Sequence, residues 1–545
     1  MSYVSGLTIP DIRRARLSFL QRRSCGSDGM TDKPKFYITT AISYVNGAPH
    51  LGHAYEAIST DVIARYKRLD GHDVFFLTGT DEHGQKVESS ARAEGMEPKA
   101  FCDMIAAQFE EMTRTLNISN DGFIRTTEPR HYESTRAIWR KLVEAGDIYL
   151  GSYAGWYSVR DEAYFSEDEL VRDGDRWLTP GGAEVEWIEE PSYFFRLSAY
   201  TDRLIAHYEA NPGFAAPPHR RNELMNFLRQ GLKDLSVSRT SFNWGVPVPD
   251  DDDHIVYVWL DALTNYITAA GYPDEESEFY RHYWPADIHI VGKDIMRFHA
   301  IYWPAFLMSA GVPLPGQVFG HGFLTIEGRK MSKSVGNVVT PDAMRETYGV
   351  DQMRYFLMRE VPYGNDGSVT PEAIVQRINS DLANDLGNLG QRVLTMIARN
   401  CGGLVPEPGE FTPEDEALFA ASAALVDDTR DAMADLAIHR MLEAIWRVVG
   451  DANRYVDAQA PWALRKTDPA RMATVLYVLA DVIRQLAIFV QPVVPGAAGA
   501  LLEQLAVPEE EGARDFAALA ARIAPGTALP APWPVFPRFV AEDAA

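Results

Sequence analysis

Two short strings in this chain have residue types and spacing suited to phosphate chemistry. The first is His50-Leu51-Gly52-His53, which follows an apolar, β-branched segment. Imidazoles three positions apart share one face of a helix. A helix starting here would turn its unpaired N–H groups and positive dipole end toward an anion. Imidazole donors suit a phosphoryl group that gains charge in a transition state, and Gly52 lets a flat ring approach the backbone. The chemistry that fits is attack on the α-phosphate of a nucleoside triphosphate. Taken alone, the four residues also fit two polar histidines at a helix start. The second string is Lys330-Met331-Ser332-Lys333-Ser334, flanked by Gly328 and Gly336. Two ammonium groups on a loop free to move can clamp pyrophosphate as its charge builds up. At average residue usage such a string arises by chance about once in several thousand proteins of this length.

Positioning these strings requires a scaffold. Lys35 to Tyr44 reads as a buried strand, Asn46 to Pro49 as a turn, and His50 to Leu69 as a helix. Asp73 to Thr78 reads as a second strand, ending in the loop GTDEHG. Strand, helix, strand is a βαβ unit of a parallel sheet. From about Asp147 to Pro249 tyrosine and tryptophan become dense, as in an insertion of short strands. Strand patterns resume at His254 to Trp259 and Asp287 to Val291. After about Thr370 amphipathic helix dominates, with Leu382, Leu386, Leu389, Val393 and Ile397 at helical spacing. A bundle of about five helices is the simplest assembly.

Composition narrows the classes. At 545 residues the chain suggests three or four domains of roughly 150 residues. Its net charge of −24 excludes a histone-like basic coat but leaves room for a local basic stripe that meets phosphates. No run of 18 or more apolar residues occurs, and the stretch from Leu486 to Leu502 is broken by Gln491, Pro492 and Pro495, so no membrane span is expected. Three distant cysteines, Cys25, Cys102 and Cys401, rule out a disulfide framework and a four-cysteine zinc knuckle. The first 29 residues hold five arginines and two aspartates. They fit a disordered leader, a transit peptide, or a start placed ahead of the true one at Met30.

HLGH near the first strand and KMSKS far downstream resemble the signatures of class I aminoacyl-tRNA synthetases, and the resemblance is strongest to the methionyl-tRNA synthetase family. It runs from Lys35 to about Arg538. It implies an α/β fold: a Rossmann-type parallel-sheet catalytic domain split by an insertion, then an all-α helical-bundle anticodon-binding domain. The expected division is 1–30 leader, 31–146 first catalytic half, 147–249 connective insertion, 250–325 second catalytic half, 326–372 KMSKS stem-contact region, and 373–545 anticodon-binding domain. The implied reaction joins L-methionine and ATP, with Mg²⁺, into methionyl-adenylate and then charges tRNA(Met), initiator tRNA included. His50, His53, Lys330 and Lys333 would be catalytic. ATP would meet His50, Gly52, His53, Lys293, Asp294, Lys330 and Lys333.

Further strings carry the methionine assignment. AISYVNGAPHLGH places Ile42 and Tyr44, and TGTDEHG places Asp81, whose carboxylate would hold the substrate ammonium. YVWLDALTNY supplies Trp259, Asp261 and Tyr266; GKDIMRFHAIYWPA supplies Phe298, His299 and Trp303. Aromatic rings favour contacts with a thioether sulfur, and the Tyr266 hydroxyl is expected to offer that sulfur a weak hydrogen bond. Asn388, Arg392 and Trp462 match anticodon readers, by hydrogen bonds to base edges and by stacking.

The chain also departs from many relatives. Where they carry a GWYC-type zinc knuckle it has Gly155-Trp156-Tyr157-Ser158, then Asp161. The insertion is therefore expected to fold without structural zinc and without any other metal site. The extra C-terminal tRNA-binding domain of some relatives is missing, which favours a monomer; the expected location is the cytoplasm. Two rivals are weaker. Valine, isoleucine and leucine synthetases carry a larger editing insertion, and a cysteine enzyme needs zinc ligands absent here. A catalytically dead tRNA-binding paralogue would not be expected to keep HLGH and KMSKS intact.

Overall fold

The structure, a computed structural model, describes residues 33–160, 163–165, 167–174, 176–326, 329–330, 339–510 and 512–540. They form two compact units. The first takes in the described residues up to Pro49, with Phe75–Thr113 and Asn120–Gly320; the second takes in His50–Val74, Arg114–Ser119 and the described residues from His321 onward.

The first unit is built on a seven-stranded sheet. Its order is Ala215–Ala216, Gln317–His321, Ile288–Gly292, Lys35–Thr39, Asp73–Asp81, Ser43–Tyr44, with Gly122–Arg125 also paired to Asp73–Asp81. The pairings run parallel, with Ile38 opposite Ile288, Ala215 opposite Val318 and Leu77 opposite Gly122. All nine residues of Asp73–Asp81 are buried, as expected of a strand covered on both faces. The single strand anticipated over Lys35 to Tyr44 is interrupted. Lys35–Thr39 and Ser43–Tyr44 are separated by a bend, in which Thr40 N–H donates to the Leu77 carbonyl and Ala41 N–H to the Ile290 carbonyl. The bend turns Ile42 and Tyr44 to the rim at the carboxyl ends of the parallel strands, where ligands bind in open α/β sheets.

One sequence expectation fails here. The strand anticipated from His254 to Trp259 ends at Val256, and helix Val258–Ala270 begins two residues later. The β-branched and aromatic run VYVW favours strand locally. Asp261 in the first helical turn and Gly271 at the C-cap, with φ 113°, settle the segment as helix. Trp259 and Tyr266 therefore ride on a helix. Within 147–249, a four-stranded antiparallel sheet pairs Ile148–Ser158 with Glu186–Phe195 over ten positions, from Ile148 opposite Phe195 to Tyr157 opposite Glu186.

The second unit is mainly helical. Helix Leu51–Leu69 belongs to it. Asp61 on this helix is fully buried against Arg354 of helix Val350–Glu360, 2.6 Å from Nη2. Strands Leu324–Ile326, Arg329–Lys330 and Gly367–Val369 make a small sheet. From Pro371 on, eight α-helices occur among the described residues rather than about five. Short helices such as Leu425–Ala434 and Pro461–Thr467 were hidden in longer periodic runs, and a π-helical stretch, Ile378–Gly387, joins two α-helices. Helix Pro469–Val490 takes in the start of the apolar segment after Leu486. It is long and apolar enough to cross a membrane, with mean hydropathy 1.8, but 94% of that window is buried inside the unit, as for a core helix.

Candidate functional site

In the first unit an aromatic cluster gathers residues from three separated strings. Trp259 stacks flat on Phe298, with ring centroids 3.8 Å apart and planes 4° from parallel. His299 stands edge-on to Trp259 at 6.0 Å, and Trp303 lies 6.3 Å from Tyr266. Phe298 and His299 sit on a single π-helical turn, Phe298–Tyr302, which widens the helix where it faces the cluster. Tyr266 rests on His289, whose ring is stacked 4.1 Å away. Ile42 and Tyr44 are half-buried against the same core. Asp81 ends its strand directly opposite Tyr44. The rings form one aromatic cluster, and Asp81 lies at the end of the strand beside Tyr44, which packs against the same core.

The hydrogen bonds inside it correct one expectation. His299 Nδ1 donates to the Ile295 carbonyl at 2.9 Å, and its Nε2 lies 2.7 Å from the Tyr266 hydroxyl. Burial lowers the imidazole from 6.5 to about 4, so the ring is neutral at physiological pH. With Nδ1 carrying the proton, Nε2 accepts and Tyr266 donates. The hydroxyl proton that was expected to meet a substrate sulfur is committed to His299.

Asp81 stands on a braced segment. The next residue, Glu82, is held by Arg125, whose Nε and Nη2 lie 2.6 and 2.9 Å from its two oxygens, and by the hydroxyls of Thr80 and Thr127. His83 then binds Asp261. Lys293 and Asp294 form the turn after strand Ile288–Gly292, where a Cβ on Gly292 would come 2.7 Å from Asp294 Oδ1.

The second unit carries the phosphate-directed string. His50 is the N-cap of helix Leu51–Leu69 rather than its first residue. Its Nδ1 accepts from Gly52 N–H at 3.1 Å, and its own N–H donates to His53 Nδ1 at 3.2 Å. The two rings stack, with centroids 3.7 Å apart. Both Nδ1 atoms are acceptors, so each neutral ring carries its proton on Nε2. A helix N-terminus with two imidazoles beside it has the geometry that can receive an anion. Lys330 lies in a short strand, opposite Thr325. Lys333 falls outside the described residues, as do the leader before residue 33 and Asp161.

Asn388 is exposed at the start of helix Asn388–Asn400, one turn before Arg392, while Leu389 and Val393 are buried. The Arg392 guanidinium lies 5.4 Å over the Trp462 ring and 2.9 Å from Asp457. Trp462 is 48% exposed. Arg392 and Trp462 thus share one surface.

Sequence reasoning missed Glu82, His83, Arg125 and His131. The string TGTDEHG contains the first two, but their partners are remote in sequence, and no local periodicity marks them.

Comparisons with known proteins show the family to which the chain belongs. Residues 36–173 and 180–394 match the family described as tRNA synthetases class I (M), and residues 405–545 match the anticodon binding domain of methionyl tRNA ligase. A methionine–tRNA ligase from Brucella suis is 60% identical over 514 residues, covering 94% of this chain and 99% of the relative. One from Rhizobium meliloti is 58% identical, covering 94% and 100%. The solved Mycobacterium tuberculosis methionyl-tRNA synthetase in complex with methionyl-adenylate has a TM-score of 0.91 and 56% identity, covering 93% of this chain and all of that one.

Proposed function

The chain belongs to the methionyl-tRNA synthetases, class I aminoacyl-tRNA synthetases, and from that premise we propose how its residues carry out the two half-reactions. The enzyme activates L-methionine with ATP and transfers the methionyl group to tRNA. A carboxylate oxygen of methionine attacks the α-phosphorus, the bond to pyrophosphate breaks, and methionyl-adenylate forms. A hydroxyl of the terminal adenosine of tRNA then attacks the acyl carbon, first at the 2′ position in class I logic, and AMP leaves.

The observation that supports this reading of the site is the aromatic cluster of Trp259, Phe298, His299, Tyr266 and Trp303, with Asp81 opposite Tyr44 on the neighbouring strand. Asp81 receives the substrate ammonium, and the rings, with Ile42 and Tyr44, receive the thioether. His50 and His53 donate through Nε2 to the α-phosphate as negative charge develops there. Lys330 and Lys333 draw off pyrophosphate, and Lys293 and Asp294 hold the nucleotide. Mg²⁺ enters with the phosphates of ATP as part of that substrate.

Asn388, Arg392 and Trp462 read the anticodon, of initiator as well as elongator tRNA(Met). The functional division is the one given by the sequence: catalytic halves 31–146 and 250–325 around the insertion 147–249, the stem-contact region 326–372, and the anticodon-binding domain 373–545. The enzyme works as a cytoplasmic monomer, and its insertion folds without zinc because Cys102 and Cys401 bracket a stretch with no cysteine. ATP–pyrophosphate exchange across a panel of amino acids tests the reading. Methionine-dependent exchange is the expected result, and exchange with another amino acid in its place would overturn it.

A further inference from the structure

Asp261 is fully buried and gripped from two sides. Its Oδ2 lies 2.6 Å from His83 Nδ1, and its Oδ1 lies 2.7 Å from His131 Nε2. Both histidines are buried as well. His83 Nε2 lies 2.9 Å from the Tyr132 hydroxyl, and His131 Nδ1 lies 3.2 Å from the Thr268 hydroxyl. Burial alone would raise the Asp261 carboxyl, but the two imidazoles more than offset it and hold it below the usual carboxylate range. Nothing in the chemistry of adenylate formation uses these groups, and a buried charge with imperfect partners costs stability.

Their placement gives them a task. Asp261 follows Trp259 by two residues and precedes Tyr266 by five on helix Val258–Ala270. His83 follows Asp81 by two residues. His131 comes from helix Pro129–Glu144, which packs on Val258–Ala270. The carboxylate therefore ties the segment bearing Asp81 to the helix bearing Trp259 and Tyr266. We propose that Asp261, His83 and His131 are positioning residues that fix the distance between the ammonium-binding end and the aromatic wall of the amino-acid pocket. They thereby set discrimination between methionine and side chains one heavy atom shorter or longer. The inference rests on the methionine-pocket reading. One methylene in a hydrophobic pocket is distinguished by about 10- to 200-fold, and a shift of the wall by a fraction of an ångström is enough to spend that.

The test is ATP–pyrophosphate exchange with methionine, ethionine and homocysteine, on wild type, His83→Leu and His83→Asn, with a thermal melt of each. An asparagine amide N–H takes the place of imidazole Nδ1–H, so H83N keeps the bond to Asp261 and H83L removes it. H83L is expected to raise the KM for methionine about tenfold, keep kcat within about threefold, and lose about tenfold or more of the preference for methionine over ethionine; H83N restores most of that preference. Where H83L does not fold, Asp261→Asn, which keeps the shape and removes the charge, is read the same way. Unchanged preference in H83L overturns the proposal, as does equal loss of kcat and preference in H83L and H83N with equally lowered melts. Wild-type enzyme that shows no methionine-dependent exchange sinks the functional reading itself, whereas normal wild-type exchange with an unaltered preference in H83L sinks this inference alone.

Discussion

Tyr266 donates its hydroxyl proton to His299 Nε2 over 2.7 Å, and the same imidazole donates from Nδ1 to the Ile295 carbonyl. Tyr266→Phe leaves a buried ring nitrogen unsatisfied, at a cost of about 1–3 kcal/mol. His299 then keeps only its bond to the Ile295 carbonyl to fix its rotation beside Trp259. The KM for methionine should rise about fivefold to a hundredfold, with the KM for ATP nearly unchanged. Steady-state exchange at varied methionine and varied ATP separates the two, and an unchanged methionine KM would remove the pair from the pocket.

The same histidine predicts a pH dependence of stability. Its folded value, about 4, lies below its ordinary 6.5, so between these values the unfolded chain binds the extra proton. Stability from keeping this ring neutral is complete above about pH 6.5 and is lost as pH falls toward 4. Melts of wild type and His299→Gln between pH 4 and 8 should differ by a constant amount above pH 6.5. Below it the wild-type advantage should shrink. A gap that stays constant down to pH 4 would contradict the assignment.

Gly52 is required by the cap beside it. A Cβ at this position would lie 2.9 Å from His50 Cε1 and 3.0 Å from Nδ1. Gly52→Ala must therefore push the His50 ring out of its bond to the residue 52 N–H and off His53. Losing an N-cap interaction costs about 1 kcal/mol, and losing a charge-stabilising donor costs on the order of 100-fold in rate. The expected variant melts slightly lower and forms adenylate about ten- to a hundredfold more slowly, with methionine affinity retained. A wild-type exchange rate would show that the His50 ring takes no part.

Much of the frame was legible in sequence because its signals are local. Helix Leu51–Leu69 was legible to within one residue, because the turn Asn46 to Pro49 marks where it starts, although His50 proved to be its cap. The parallel strands are short, apolar and turn-bounded. Trp259 was misplaced on a strand because VYVW carries β-forming side chains, while the evidence for helix lay downstream, in Asp261 and Gly271. The aromatics assigned to the pocket were singled out through four strings that resemble a family, since any one ring alone reads as core. The Asp261 cluster was invisible for a different reason. His83 and Asp261 are 178 positions apart, and His131 and Asp261 are 130 apart, so only the folded sheet and its helices bring them together.

Arg354 illustrates the same non-local logic in the second unit. It is fully buried, donating to Asp61 at 2.6 Å and to the carbonyls of Pro492, Val493 and Leu116. Replacing it with methionine leaves a buried carboxylate short of one partner and three carbonyls unbonded. Removing one side of such a pair costs about 3–5 kcal/mol. Arg354→Met should shift chemical unfolding by that amount, and Asp61→Asn, which keeps a polar acceptor, should shift it less. Equal, small shifts of about 0.5 kcal/mol, the scale of ordinary surface changes, would show that the pair contributes little.

Trp462 is 48% exposed, with the Arg392 guanidinium 5.4 Å from its ring. A core anchor would be covered, as Leu389 and Val393 are. A half-open indole beside a cation suits stacking on an unpaired base. Stacking of one base on an aromatic ring contributes about 1–3 kcal/mol by alanine substitution, so Trp462→Ala should lower tRNA charging by about tenfold to a hundredfold. Pyrophosphate exchange with methionine and ATP should stay near wild type, because no tRNA enters that half-reaction. The melt should fall only modestly, since about half of the indole is already open to solvent. Arg392→Ala should add less than its own full effect on top of Trp462→Ala, because the two side chains share one surface and are expected to couple. Equal loss in both half-reactions with a depressed melt would make Trp462 a structural residue and leave base recognition to Asn388 and Arg392.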